Sequence, residues 1–356
     1  MPGPDYNFLS RFIHKVALQY SGVAEMSFDI ENARSQKKQD FRANHVFISG
    51  LARSGTTILL QYLYATGAFS SLTYSDMPFV LMPNTWKKIS RKKANISPQQ
   101  RAHNDGILVG PDSPEAFEEV FWQVFCAKSD IGVDRLTEHM VDAELSKKFK
   151  YFIGNVLCAG GNDGAKRYLS KNNNNILRMD YLQNTFPEAR IIVPFRDPLQ
   201  QAISLLNQHN RFTEIHKTDR FSLNYMNWLG HFEFGLNQKP FFLGDEDVFK
   251  EMQSYPKTDI NFWLLSWRNY YTHLSNRISS NTILFNFDSF CSDPQAALMA
   301  LFLKIDIPNA VFELNPFKPV FKSIGGFDQS ILEECRSIYR TLESKADSQF
   351  DQPFGI

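Results

Sequence analysis

Four short apolar runs, each passing through a polar turn into a helix-patterned stretch, predict an α/β chain with a central, mostly parallel sheet flanked by helices in three layers. The first run ends in a glycine-bearing turn, Gly50 to Thr57, and the third in an Arg-Asp-Pro turn at Arg196, Asp197 and Pro198. Both turns fall at the carboxyl ends of strands, where open parallel sheets bind their ligands. The 356 residues, 43% of them apolar, supply core enough for one large domain, and no Gly-, Ser- or Pro-rich linker divides them.

In chain order, residues 8–20 have the spacing of an amphipathic helix that docks on the domain. His45 to Ser49 reads as a strand, 50–55 as a loop and 56–66 as a helix. An irregular segment through Asp76, Met77 and Pro78 follows. The stretch 84–116 breaks the strand–helix rhythm with loop residues and a basic cluster of Lys87, Lys88, Arg91, Lys92 and Lys93, and is read as a lid or acceptor-site insertion. Ser113, Pro114 and Glu115 have the form of a capped helix start, continuing through Phe117, Val120, Phe121, Val124 and Phe125. After the asparagine run 172–175, Ile176 to Arg178 is read as a strand, and Arg190 to Pro194 as another that leads to a helix over 199–208. A helix over 262–278, a strand over 282–287, a helix over 294–304 and a closing helix over 331–342 complete the pattern.

The first turn reads Gly50-Leu51-Ala52-Arg53-Ser54-Gly55-Thr56-Thr57. Its glycine spacing is that of a P-loop, so the fold class is a P-loop-type three-layer fold in which backbone N–H groups and a helix N-terminus face an anion. A triphosphate loop needs Lys and then Ser or Thr after its second glycine, to reach terminal phosphates and hold magnesium. Thr56 and Thr57 stand there instead, and the cation has moved forward to Arg53. That arrangement suits one phosphate carrying one transferable group, with no metal. At the second turn Ser204 lies two helical turns beyond Arg196, where both can face one crevice.

Arg-Ser-Gly-Thr-Thr after a strand resembles the 5′-phosphosulfate loop of sulfotransferases, which bind 3′-phosphoadenosine 5′-phosphosulfate (PAPS). The loop is closer to the carbohydrate and tyrosyl-protein type. Arg196 with Ser204 eight positions on resembles the family's 3′-phosphate site, and the resemblance spans about 44–305. It implies Arg53 at the bridging oxygen, Ser54, Gly55, Thr56 and Thr57 at the 5′-phosphate, and Arg196 and Ser204 at the 3′-phosphate. Lys171, before the asparagines, resembles the lysine that approaches the transferring sulfonyl. Lys322 and Gly325 fall where many cytosolic members cover the 3′-phosphate, although the full pattern is missing.

A hydroxyl acceptor needs a base near sulfur. Asp76 is the first candidate, at about the separation of the catalytic glutamate in tyrosyl-protein members. His103 is the second, with Asp105, Glu115, Glu118 and Glu119 behind it. A P-loop kinase or other phosphotransferase and a non-catalytic nucleotide-binding protein remain alternatives.

Equal numbers of basic and acidic residues, 38 each, leave no global field for nucleic acid. The four cysteines are dispersed, and no stretch reads as a signal peptide or membrane span. The expected setting is cytoplasmic, with a small alcohol, lipid or glycan hydroxyl as acceptor.

Overall fold

Five short strands, buried apart from Arg190, pair: β1 (Val46–Ile48), β2 (Phe69–Ser70), β3 (Arg167–Lys171), β4 (Arg190–Phe195) and β5 (Thr282–Asn286). They form one parallel sheet in the order β2-β3-β1-β4-β5. The computed structural model describes residues 8–35, 44–90, 99–100, 108–126, 131–138, 140–160, 167–314 and 322–351.

Successive strand residues point to opposite faces, and the core divides accordingly. Phe47, Tyr168, Ile191, Val193 and Leu284 meet the helices Pro198–Thr218, Ile260–Ser275, Ala143–Ala159 and Gln329–Asp351. Val46, Ile48, Leu169, Ile192 and Ile283 meet Leu59, Leu60 and Leu63 of the Thr56–Ala65 helix and Leu298, Leu301 and Phe302 of the Pro294–Lys304 helix. These are the three layers. The helix after β1 and the helix after β4 therefore lie on opposite faces, which opens a crevice between those adjacent strands.

Aspartates begin many of the helices. Asp197 and Asp293 each precede a proline and accept the backbone N–H three residues on, Gln200 at 2.8 Å and Ala296 at 3.0 Å. The amino-terminal helix Phe8–Gln19 docks through His14, Ala17 and Leu18. Among the described residues no helix is long and apolar enough to cross a membrane.

Four elements differ from the expectation. The strand lies at Arg167–Lys171, before the asparagines, and the apolar Ile176-Leu177 belongs to a 3-10 helix, Asn173–Arg178. The helix expected from Ser113 starts at Glu119, because Pro114 bridges Thr73 and the Glu115 N–H donates to the Leu72 carbonyl at 3.1 Å. Finally, the helix expected over 199–208 runs on to Thr218, and the closing helix spans Gln329–Asp351. Within the insertion, Arg91, Lys92 and Lys93 lie outside the described residues.

Candidate active site

β1 ends at Ile48, and the chain turns through two left-handed residues, Arg53 at φ 69° and Gly55 at φ 97°. Residues in that conformation, set two apart, are the material of backbone anion nests. Gly50 and Gly55 are there for space. A β-carbon on Gly50 would stand 2.8 Å from Ser54 Oγ, and one on Gly55 would stand 2.2 Å from the Phe287 ring. Gly55 precedes the Thr56–Ala65 helix and supplies no side-chain cap, so the first N–H groups of that helix keep their positive end for a ligand. Ser54 is fully buried, and its Oγ has no hydrogen-bond partner.

β4 delivers Arg196 to the other side of the crevice. Its guanidinium carbon lies 5.6 Å from the centroid of Phe287, the ring that abuts Gly55, and its buried Nε has no hydrogen-bond partner. The turn is held by Asp288, whose Oδ2 accepts the Asp197 N–H at 2.6 Å and the Tyr339 hydroxyl at 3.0 Å. Burial pushes the Asp288 carboxyl up, against the pull of those two donors and Arg196. The two turns meet: Arg53 Nε donates to Ser204 Oγ at 3.1 Å. Gln201, one turn earlier on the same helix, fastens the loop from behind by donating to the carbonyls of Leu51 (3.2 Å) and Ala52 (3.0 Å). Trp267 Nε1 holds the Gln201 carbonyl oxygen at 3.0 Å.

A cleft of about 640 Å³, measured out to its open mouth, adjoins the loop. Arg53, Thr56 and Thr57 line it together with Lys171, which the end of β3 brings in nearly buried. Behind Lys171, Asn172 donates to Glu119 at 2.7 Å, and Glu119 forms a two-pronged pair with Arg178 at 2.8 and 3.1 Å. Burial raises the affinity of Glu119 for a proton, but Arg178 and the amides outweigh it and hold the carboxyl below its usual range. Glu118 accepts the Tyr168 hydroxyl at 2.8 Å. From the loop after β2 and the segment paired with it come Tyr74 and Glu115, joined by a Tyr74 hydroxyl to Glu115 Oε2 bond of 2.8 Å.

Residues 45–239 match the family model described as "Sulfotransferase family", which is more than half of the chain. The chain belongs to the sulfotransferase family. Among solved structures it is similar to a sulfotransferase of Mycobacterium avium, at 13% identity over 95% of this chain and 79% of that one, with a TM-score of 0.49. A sulfotransferase of Mycobacterium tuberculosis gives 12% identity over 95% and 84%, with a TM-score of 0.48. One from Alicyclobacillus acidocaldarius gives 12% over 87% and 97%, with a TM-score of 0.39. A comparison with curated protein sequences gives no significant match.

In this sulfotransferase the residues singled out from the sequence have different fates. Arg53, Ser54, Gly55, Thr56, Thr57, Lys171, Arg196 and Ser204 gather around the crevice between β1 and β4. Lys322 is not shown at the crevice: its N–H and carbonyl pair with the side chain of Gln200, on the helix that carries Ser204, both at 2.9 Å, while its own side chain is exposed. Asp76 is built into a cap. Its Oδ2 accepts the Thr73 N–H at 2.7 Å and the Thr73 hydroxyl at 3.0 Å, Lys87 approaches Oδ1 at 3.5 Å, and the side chain is fully buried outside the lining of the cleft. Burial pushes the Asp76 carboxyl up, opposed by Lys87 and Thr73. His103 and Asp105 lie outside the described residues. Sequence reasoning missed Gln201, Asn173, His231 and Glu233; a polar Gln201 on the apolar face of its helix was the one visible signal.

Proposed function

We propose that this sulfotransferase uses PAPS as donor and passes the sulfuryl group to a hydroxyl acceptor by in-line displacement. The observation that carries the proposal is the 3.1 Å bond from Arg53 to Ser204, which sets two anion-binding turns from adjacent strands beside each other. A ligand with phosphates at both its 5′ and 3′ positions spans such a pair. The residues suit it: Ser54 Oγ and Arg196 Nε are buried donors without partners, and Gly55 leaves a cradle that a β-carbon would fill.

The donor supplies the activated sulfuryl group and a good leaving phosphate. The chain supplies placement and fixed positive charge. Ser54, Gly55, Thr56 and Thr57 hold the 5′-phosphate with backbone and hydroxyl donors, and Arg196 and Ser204 hold the 3′-phosphate. Arg53 stabilises charge on the bridging oxygen and stays protonated throughout, so it is no general acid. Lys171 offsets charge on the equatorial oxygens. Glu115 is the proposed proton acceptor, since it lines the cleft with Arg53 and Lys171, whereas Asp76 lies outside that lining. The chain acts as one catalytic domain, with part of 84–116 flanking the acceptor.

Calorimetry tests the donor assignment. Adenosine 3′,5′-bisphosphate is expected to bind in the presence of a chelator, and ATP far more weakly. Magnesium-dependent ATP binding tighter than the bisphosphate would move the chain to phosphoryl transfer. Bisphosphate binding with no labelled product from any acceptor would make it a binding protein.

A further inference from the structure

The same cleft carries a second polar centre that the transfer step does not use. The Arg220–Trp228 helix brings Met226, and the turn after it brings Leu229, His231, Glu233 and Phe234, to the lining. That turn is rigidly set. The His231 N–H donates to the Met226 carbonyl at 2.9 Å, and Asn174 Nδ2 donates to the Gly230 carbonyl at 3.2 Å. A β-carbon on Gly230 would meet Glu119 at 2.4 Å, so the turn is pressed against the Glu119–Arg178 pair beneath the site.

Within this setting Asn173 Nδ2 donates to Glu233 Oε1 at 2.9 Å. That neutral amide is the only hydrogen-bond partner of Glu233 among the described residues, so no cation there neutralises the carboxylate. Asn173 is 6% exposed, and its Oδ1, left over from that contact, has no donor. His231 Nε2 donates to the Ala116 carbonyl at 3.1 Å, which fixes the ring at the edge of this centre. The Glu233 carboxylate and Asn173 Oδ1 thus share the cleft lining with apolar Met226, Leu229 and Phe234, and with the cations Arg53 and Lys171.

A buried acceptor without a donor costs free energy that a ligand can recover, and a carboxylate on an apolar floor favours a positive one. We propose that Glu233 and Asn173 select an acceptor carrying a protonated amine on an apolar body that ends in the reacting hydroxyl. Glu233 takes the ammonium, Asn173 Oδ1 accepts a second N–H, and the apolar residues cover the body between amine and hydroxyl. This rests on the sulfotransferase reading above.

Matched acceptors test it: tyramine, 4-ethylphenol and 3-(4-hydroxyphenyl)propionate, with 6-aminohexan-1-ol, hexan-1-ol and 6-hydroxyhexanoate as an aliphatic set. Each is offered with labelled PAPS at pH 7.5, where the amines are charged. In at least one set kcat/KM for the amine is expected to exceed that of the neutral alcohol by about 10- to 100-fold, with the carboxylate poorest. Glu233→Gln is expected to bring the amine-to-alcohol ratio close to one. Equal use of all three in both sets overturns the inference. So does an equal fall in kcat for every acceptor in Glu233→Gln, which would make Glu233 the proton acceptor. Failure of every acceptor alongside normal bisphosphate binding removes the inference and leaves the donor reading standing, whereas failure of bisphosphate binding removes both. Should Glu233→Gln not fold, the wild-type ratio alone decides.

Discussion

Gly55→Ala puts the loop geometry to a quantitative test. The new β-carbon would lie 2.2 Å from Cδ2 and 2.4 Å from Cε2 of Phe287, where ordinary contact begins near 3.4 Å, so the ring has to retreat by roughly an ångström. Phe287 is buried among Phe285 and Phe290 and has nowhere to go. Overpacking of this kind costs about 1–3 kcal/mol. The left-handed backbone at φ 97° adds about 1–2 kcal/mol for a residue with a β-carbon. Together they predict a loss of about 2–5 kcal/mol, with weaker adenosine 3′,5′-bisphosphate binding, because the displaced ring also lies under Arg196. Gly67→Ala is the control: its φ of 74° is left-handed too, but nothing lies within 4 Å of the added carbon. It is expected to show the backbone cost alone and unchanged binding. Urea unfolding and calorimetric titration measure both quantities. If Gly55→Ala is no less stable than Gly67→Ala and binds the bisphosphate as well as wild type, the loop does not rest on Phe287 as described.

Arg196→Ala is expected to weaken bisphosphate binding by about 1.5–3 kcal/mol in calorimetry, while Arg53→Ala mostly lowers turnover at saturating donor; untouched kcat in Arg53→Ala contradicts that division. Glu115→Gln is expected to cut kcat by about 10²–10⁴ with bisphosphate binding retained. Asp76→Asn is expected to cost about 0.5–2 kcal/mol of stability and little rate, and the reverse pattern returns the proton to Asp76. His45, 1% exposed, is pushed down to about 4, first by burial and then by Arg167. Its folded pKa is below its unfolded one, so as pH falls from about 6.5 the unfolded chain takes the proton first, and about 3 kcal/mol is lost by pH 4. Thermal unfolding across pH 7 to 5 checks the sign, and a melting temperature that rises on acidification refutes it.

The two strand–turn–helix junctions, at Gly50 to Thr57 and at Arg196 to Pro198, were legible because each is local: a strand, a turn of special residues and a helix start in one continuous stretch. β3 was not, because charged residues bound it at both ends. Arg167 is charged yet 5% exposed, since its guanidinium donates to the Asn44 and Ile305 carbonyls, partners remote in sequence. Ile176-Leu177 carried the opposite error, for a short apolar run fits a strand or one buried helical turn equally well. Glu115 reaches the cleft only because residues 72–74 pair with 113–115, a long-range contact that leaves no periodic trace. Asp76 with a hydroxyl residue three positions earlier is also a capping pattern, and its carboxylate accepts from Thr73 in a capping box.

The placement of β1 in the middle of the sheet governs when the molecule can fold. Both neighbours of Val46, Leu169 and Arg190, come late in the chain, and the Tyr168 N–H that reaches His45 is 123 residues away. Closing so long a loop must precede any reward from strand pairing, which slows folding. Until then Val46, Phe47 and Ile48, each 0% exposed in the finished sheet, are an unpaired apolar strand open to wrong partners. Because β5 and Phe287 follow later still, the loop at residues 50–57 acquires its final shape only once segments far downstream of it are in place.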